Sequence, residues 1–437
     1  MIIAAYPKHE SYTDCGIDWI GEVPSTWSIE PGRQCLYESK EKNIGMKEST
    51  VLSLSYGRVI VKDEDKLTGL VPESFETYQV VQPGDIIIRG TDLQNDMTSL
   101  RTGLARDTGI ITSAYINLRP KADIDPKFLH YLLHSYDVKK VFYALGSGLR
   151  QNLSYEDFKY LRLPIPTLQE QRAIAAFLDG KCATIDEAVR IKEEQIRLLA
   201  ERRQILIQEA VTRGLNPDAP MKNSGIDWIG RIPAHWEILK LRNMGGFQNG
   251  ISEAAEYFGS GHPFITYGDV FNNEVLPQNA SGLAKSDSRA QTLYSVRAGD
   301  IFFTRTSEIT SEIGIASAAT SDIPKATFSG FLIRFRPKAG RIVPEYARFL
   351  FRSDYVRMFF AHEVNIVTRA SLGQELLKNL PVFAPPRDEQ ARIATWLEGK
   401  TKDLDGAIDL KKSQITALRE YKTSLINAAV TGKIKVL

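Results

Sequence analysis

The sequence predicts an α+β chain in which two tandem-repeated α/β bodies are separated by two long helices, packed as an antiparallel coiled coil about a pseudo-two-fold axis. Three observations predict it. The chain repeats itself in order, each copy closes on a long proline-free stretch with a coiled-coil seam, and each body mixes short β runs with helices.

The repeat is read first, because a missed duplication misreads the whole fold. Gly16 to Gly21 spells GIDWIG and recurs unchanged at Gly225 to Gly230, followed by Pro24 and Trp27 in one copy and by Pro233 and Trp236 in the other, an offset of 209. Gly84, Asp85 and Ile86 match Gly299, Asp300 and Ile301, and LRPK ending at Lys121 matches FRPK ending at Lys338, where the offset is 217. Glu170 and Gln171 match Glu389 and Gln390, and AVT at Ala210 to Thr212 matches AVT at Ala429 to Thr431, both at 219. The drift puts insertions inside the body. Edges and closing segments agree while the middle diverges, as expected of one scaffold carrying two different surfaces; neutral drift would scatter the differences evenly.

From Gln169 to Thr212 there is no proline and one glycine, Gly180. Leu178, Ile185, Val189, Ile196, Leu199, Leu206 and Ala210 follow one another in steps of seven, four and three, the a/d pattern of a helical seam. Leu397, Leu404, Ile408, Ile415, Leu418, Leu425 and Ala429 repeat it position for position. Glu193 with Arg197, and Arg197 with Glu201, add exposed pairs. Pro166 and Pro386 bound the starts, Gly214 and Gly432 the ends. Such a helix is on the order of 65 Å long at ~1.5 Å per residue and cannot bury its stripe alone. Two like stripes pack symmetrically when antiparallel. Because each body precedes its helix, that packing is expected to set the bodies as inverted copies at a fixed separation, which suits a divided DNA site.

The expected division is an N-terminal segment 1–24, a body 25–165, a long helix 166–214, a linker 215–236, a body 237–384, and a long helix with tail 385–437. Thr50 to Ser55, Asp85 to Arg89 and Ala114 to Leu118 read as strands in the first body, with Pro263 to Tyr267, Asp300 to Thr304 and Phe331 to Phe335 in the second. Pro126 to Ser135 and Pro344 to Arg352 read as helices.

Composition narrows the function classes. Apolar residues at 43% and charged residues at 25% are those of a globular protein. MIIAAYPKHE is too short in apolar residues for a signal peptide and no stretch approaches a membrane span, so a cytoplasmic chain without a membrane is expected. Cys15, Cys35 and Cys182 form no CxxC pair, which fits a reducing compartment. With 55 basic and 53 acidic residues, a DNA-binding face must be local rather than global. His130 and His134 in HYLLH lack the Glu of an HExxH zinc site, so no metal is expected. Asn216, Pro217 and Asp218 lack the second proline and aromatic residue of an NPPY methyltransferase motif, and no phosphate-cradling glycine loop occurs. No catalytic residues are assigned.

Loops after the strands carry side chains of the kind that read base edges. In the first copy these are Arg89, Thr91, Asp92, Gln94, Asn95 and Arg101, then Arg150, Gln151 and Asn152. In the second they are Tyr267, Asp269, Asn272, Asn273, Arg305, Thr306 and Ser307, then Arg369. Arg150 and Arg369 match at offset 219 within divergent loops, which suits a phosphate contact without sequence information.

GIDWIG with P-x-x-W opening each half, GDI inside each body, P-x-x-x-EQ at Pro166 to Gln171 and Pro385 to Gln390, and AVT closing each helix together resemble the specificity subunit of type I restriction-modification systems, over nearly the whole chain. The resemblance implies two target-recognition domains, each reading half of a split site on double-stranded DNA. It also implies two methyltransferase subunits that methylate adenine, and restriction subunits joined through the complex. S-adenosylmethionine, Mg and ATP would then belong to those partners, with no cofactor and no catalysis in this chain. The competing readings are a stand-alone DNA methyltransferase and a coiled-coil scaffold with no DNA role.

Overall fold

In the computed structural model of the chain, GIDWIG is the turn of a two-stranded antiparallel ribbon. Tyr12–Asp14 pairs with Glu22–Pro24, and Met221–Asn223 pairs with Arg231–Pro233. Trp27 and Trp236, just beyond, are buried. Residues 6–24 and the stretch expected as a linker thus contribute folded ribbons whose apolar residues join the cores, Ile20 and Val23 in one unit and Ile232 in the other. The structure describes residues 6–62, 74–96, 98–146, 152–307, 312–363 and 370–437.

The chain forms two compact units, the expected body 25–165 lying within one and the expected body 237–384 within the other. One is Met1–Lys192 with Ser413–Leu437, the other Glu193–Lys412. Each long helix, Leu168–Arg213 and Arg387–Val430, contributes to both.

The first unit is built on a four-stranded antiparallel sheet in the order Leu36–Glu38, Ile116–Pro120, Ile86–Ile88, Thr102–Leu104. The second has the same sheet in the same order, Gly245–Asn249, Leu332–Pro337, Ile301–Thr304, Ala316–Ala318. The GDI strand is central in both and alternates sides with period two. Ile86 and Ile88 enter the main core while Ile87 enters a smaller one with Leu52 and Val81. Ile301 and Phe303 enter the main core of the second unit while Phe302 enters a smaller one with Ile265 and Phe328. Pro126–Val138 and Pro344–Leu350 are the helices that supply the core after the sheet.

The remaining shared motifs are joints of this scaffold. Asp85 and Arg119 form an ion pair beneath the sheet, as do Asp300 and Arg336. The EQ glutamines are buried at the starts of the long helices. Gln171 accepts the Asp125 N–H at 2.8 Å and donates to the Pro166 carbonyl at 2.9 Å; Gln390 accepts the Val343 N–H at 2.9 Å and donates to the Pro385 carbonyl at 2.9 Å. The EQ glutamates meet the opening segments, Glu170 accepting the Trp27 indole N–H at 3.1 Å and Glu389 pairing with His235 at 2.8 Å.

In the first unit the long helices run antiparallel: Lys422 bonds Asp186 and Lys192 bonds Gln414, one number rising as the other falls. Leu178 and Ile185 share a core with Leu425 and Ala429 there. In the second unit Arg203 pairs with Asp405, and Ile207 and Ala210 share a core with Leu397. All fourteen seam residues are buried or half-buried, while Ile191, Leu198, Ile205 and Leu410 face solvent. Arg197 makes its exposed pairs with Glu194 and Glu201. Among the described residues no helix is long and apolar enough to cross a membrane.

The units differ in what decorates the sheet. The first adds the hairpin Leu52–Ser55 with Arg58–Val61 and the pair Gln79–Val81 with Gly109–Ile111. The second adds a three-stranded sheet of Gly282–Ala284, Phe258–Ile265 and Thr327–Phe328, with short helices Tyr267–Asn272 and Ser288–Leu293.

Candidate nucleic-acid interface

In both units the polar loop that follows the GDI strand is stitched to the segment just before a short helix late in the body. The Leu153 N–H donates to the Gly90 carbonyl at 2.7 Å, and the Leu372 N–H donates to the Arg305 carbonyl at 2.7 Å. In the first unit Asn152 adds a side-chain bond, its Oδ1 accepting the Asp92 N–H at 3.0 Å. In the second, Thr306–Ser307 pairs antiparallel with Ala370–Ser371. In each copy the candidate loop after the GDI strand thus meets a later segment at one junction on the same scaffold positions. That segment includes the candidate Asn152 in the first unit and is described from Ala370 in the second.

At the first junction Thr91, Gln94, Asn95 and Asn152 are exposed, and Arg89 is half-exposed in a loose ion pair with Asp96 at 3.6 Å. Asp92 takes a left-handed φ of +59° and its carboxylate accepts the Asn95 amide at 2.8 Å. Bonds from the Ser99 N–H and side chain hold the Asp96 carboxyl down to about 2, so it stays charged beside Arg89.

Arg101 departs from the expectation. It is 0% exposed and makes five hydrogen bonds: to the Tyr143 hydroxyl at 3.1 Å, to the carbonyls of Arg89 at 3.2 Å, Thr91 at 2.8 Å and Asp92 at 3.3 Å, and to the Asp96 carbonyl. A guanidinium has five N–H donors, and all of them face inward here. Arg101 shapes the loop from within instead of reaching a base.

Asp269 is likewise buried. It caps the helix Tyr267–Asn272 through Thr266 and takes bonds from Ser281. Asn273 is half-buried, donating to the Asp269 carbonyl at 2.9 Å, whereas Asn272 is exposed and Tyr267 stacks on Phe271 at 5.6 Å. This group belongs to the extra sheet of the second unit, and Arg305 to the junction. Of Thr306 and Ser307 the backbone placement is described. Arg150, Gln151 and Arg369 lie outside the described residues.

Sequence reasoning missed Arg352, which donates to the carbonyls of Ala316 at 2.6 Å, Val270 at 2.9 Å and Asn273 at 2.7 Å, closing the same helix from its C-terminal side. Burial lowers its pKa from the ordinary arginine value. No local pattern announces such a clamp across so many residues. It also missed the hairpin beside the first junction, for which a signal existed: LSLS and RVIV are separated by two residues, Tyr56 and Gly57.

This geometry defines a chain with two units of common scaffold, each displaying its own polar loop junction. Residues 102–197 match the family described as Type I restriction modification DNA specificity domain. The chain is similar to the type I restriction enzyme EcoKI specificity subunit of Escherichia coli K12, 24% identical and covering 95% of this chain and 90% of that one. It is similar to the MjaVIII specificity subunit of Methanocaldococcus jannaschii, 23% identical over 75% of each. Its fold is that of a chain in a solved type I restriction-modification complex, with a TM-score of 0.71 at 17% identity, covering 94% of this chain and 99% of that one. The chain is thus similar along its length to type I specificity subunits, and it shares the fold of that solved chain.

Proposed function

We propose that this chain is the DNA-specificity subunit of a type I restriction-modification complex, each unit reading one half of a bipartite site. The observation that carries the reading is the contrast inside one sequence: identical sheet order, ion pair and glutamine clamp in both units, against loop junctions and inserts that differ. A duplication that keeps its frame and changes its display suits two targets on one ligand. The exposed Thr91, Gln94, Asn95 and Asn152, and Arg305 with Asn272, are of the types that bond base edges or phosphates.

Catalysis is assigned to partners, two methyltransferase subunits that use S-adenosylmethionine and restriction subunits that use Mg and ATP. The stand-alone methyltransferase and scaffold readings are not favoured, since the similarity to specificity subunits runs the length of the chain. Mapping methylated adenines in a genome with this gene switched on and off tests the proposal. A split motif that appears and vanishes with the gene supports it, and an unchanged methylation pattern overturns it. Methyl transfer by the purified chain alone would refute the assignment of catalysis to partners.

A further inference from the structure

The two most exposed aromatic side chains among the described residues are Tyr56, at 95%, and Phe331, at 62%, one in each unit. Single exposed rings are ordinary on protein surfaces. What distinguishes these two is where they are held.

Tyr56 and Gly57 are the two-residue turn of the hairpin in which Ser55 pairs with Arg58. Both have left-handed φ, +47° and +76°. Such a turn favours Asn-Gly, and a bulky residue in its first position is strained. The turn rests on the first junction: a Cβ on Gly57 would stand 3.0 Å from Leu100, the residue before Arg101. Below it, Gly103 of the sheet packs closely under Leu54 and Val59 of the hairpin. In the second unit Phe331 lies in a tight turn closed by the Leu332 N–H on the Ser329 carbonyl at 2.9 Å. Its own carbonyl accepts the Arg305 N–H at 2.9 Å. Each ring is thus attached by backbone or close packing to the junction of its own unit, and points away from the core.

From these positions we infer that Tyr56 and Phe331 are specificity-determining residues, each pressing its ring on base edges and thymine methyl groups of the half-site its unit reads. The inference rests on the proposed DNA-reading function. A ring held in water gains nothing within the chain itself, and Tyr56 is held there on a strained φ, whereas apolar contact with a thymine methyl in the major groove both buries a ring and reports sequence.

The test uses the full chain assembled with its methyltransferase subunits and a pool of random-sequence duplexes, from which bound sequences are selected and read. Tyr56→Asn places a favoured residue in the turn, so thermal unfolding should be unchanged or shifted upward. Discrimination at one or two positions of one half-site should nevertheless fall by roughly tenfold, while Tyr56→Phe keeps it. Phe331→Ala should have the same effect in the other half-site only. Replacing thymine by uracil at the affected positions should weaken the native complex and leave the Phe331→Ala complex unaffected. Selected sequences identical to those of the native complex would overturn the inference, as would a loss uniform over all sequences. A native complex that selects no sequence would instead refute the functional reading beneath it.

Discussion

Asp85 accepts the Nε and Nη2 hydrogens of Arg119, both at 2.7 Å, and Asp300 holds Arg336 in the same two-pronged way at 2.6 Å. The carboxylates are almost fully buried and the guanidiniums partly so. Removing the arginine leaves a buried carboxylate uncompensated, which costs about 3 kcal/mol or more. Arg119→Ala and Arg336→Ala should each lower the unfolding free energy in urea to that extent. A shift within about 0.5 kcal/mol of the native chain would show that the pair is dispensable.

Arg101 should behave as an internal brace. Arg101→Lys keeps the charge but offers three donors where five are used, and cannot reproduce the fork. Selection from random duplexes should show loss of discrimination in one half-site with the other intact. Loss confined to a single base position would make Arg101 a direct reader after all.

The seam predicts a contrast between neighbouring leucines. Leu397 is fully buried with Ile207 and Ala210, while Leu410 is 57% exposed. Leu397→Ala should destabilise by about 2–5 kcal/mol, and Leu410→Ala by less than about 0.5 kcal/mol. Equal effects in denaturant unfolding would contradict the assignment of the packed face.

Burial pushes His130 down to about 3 and His134 to about 4, with His134 and Arg106 adding to the shift at His130 and Lys422 to that at His134. Both folded values lie below the ordinary 6.5, so the unfolded chain binds protons that the folded chain refuses. Their stabilising effect is complete above pH 6.5 and is lost as pH falls from there toward 4, at up to ~1.4 kcal/mol per pH unit for each histidine. Stability measured across this window should flatten in a His134→Gln variant. An unchanged slope would place the acid sensitivity elsewhere.

Much of the scaffold was legible because its signals are local or repeated. The seam positions follow from spacing alone, and the GDI and RPK strands from short apolar runs in both copies. What those motifs do was not legible, since Asp85 finds Arg119 across a sheet and Gln171 finds Asp125 across a turn, and neither register is written in spacing. Arg101 in a polar loop looks the same whether it faces water or carbonyls. The composition of the units was hidden for a topological reason: Trp27 shares a core with Leu425 and Val430, from the far end of the chain. LSLS and RVIV each show as short strand runs, but a run by itself does not name its partner, and Tyr56 is not a residue that favours a left-handed turn.

The central claim, that the two units read DNA independently, is tested most directly by exchanging residues 25–160 for the matching region of a relative and mapping methylated adenines in cells carrying the hybrid complex. The account predicts that one half of the split motif changes to that of the relative while the other half is retained. A motif altered in both halves, or in neither, from an active complex would contradict it.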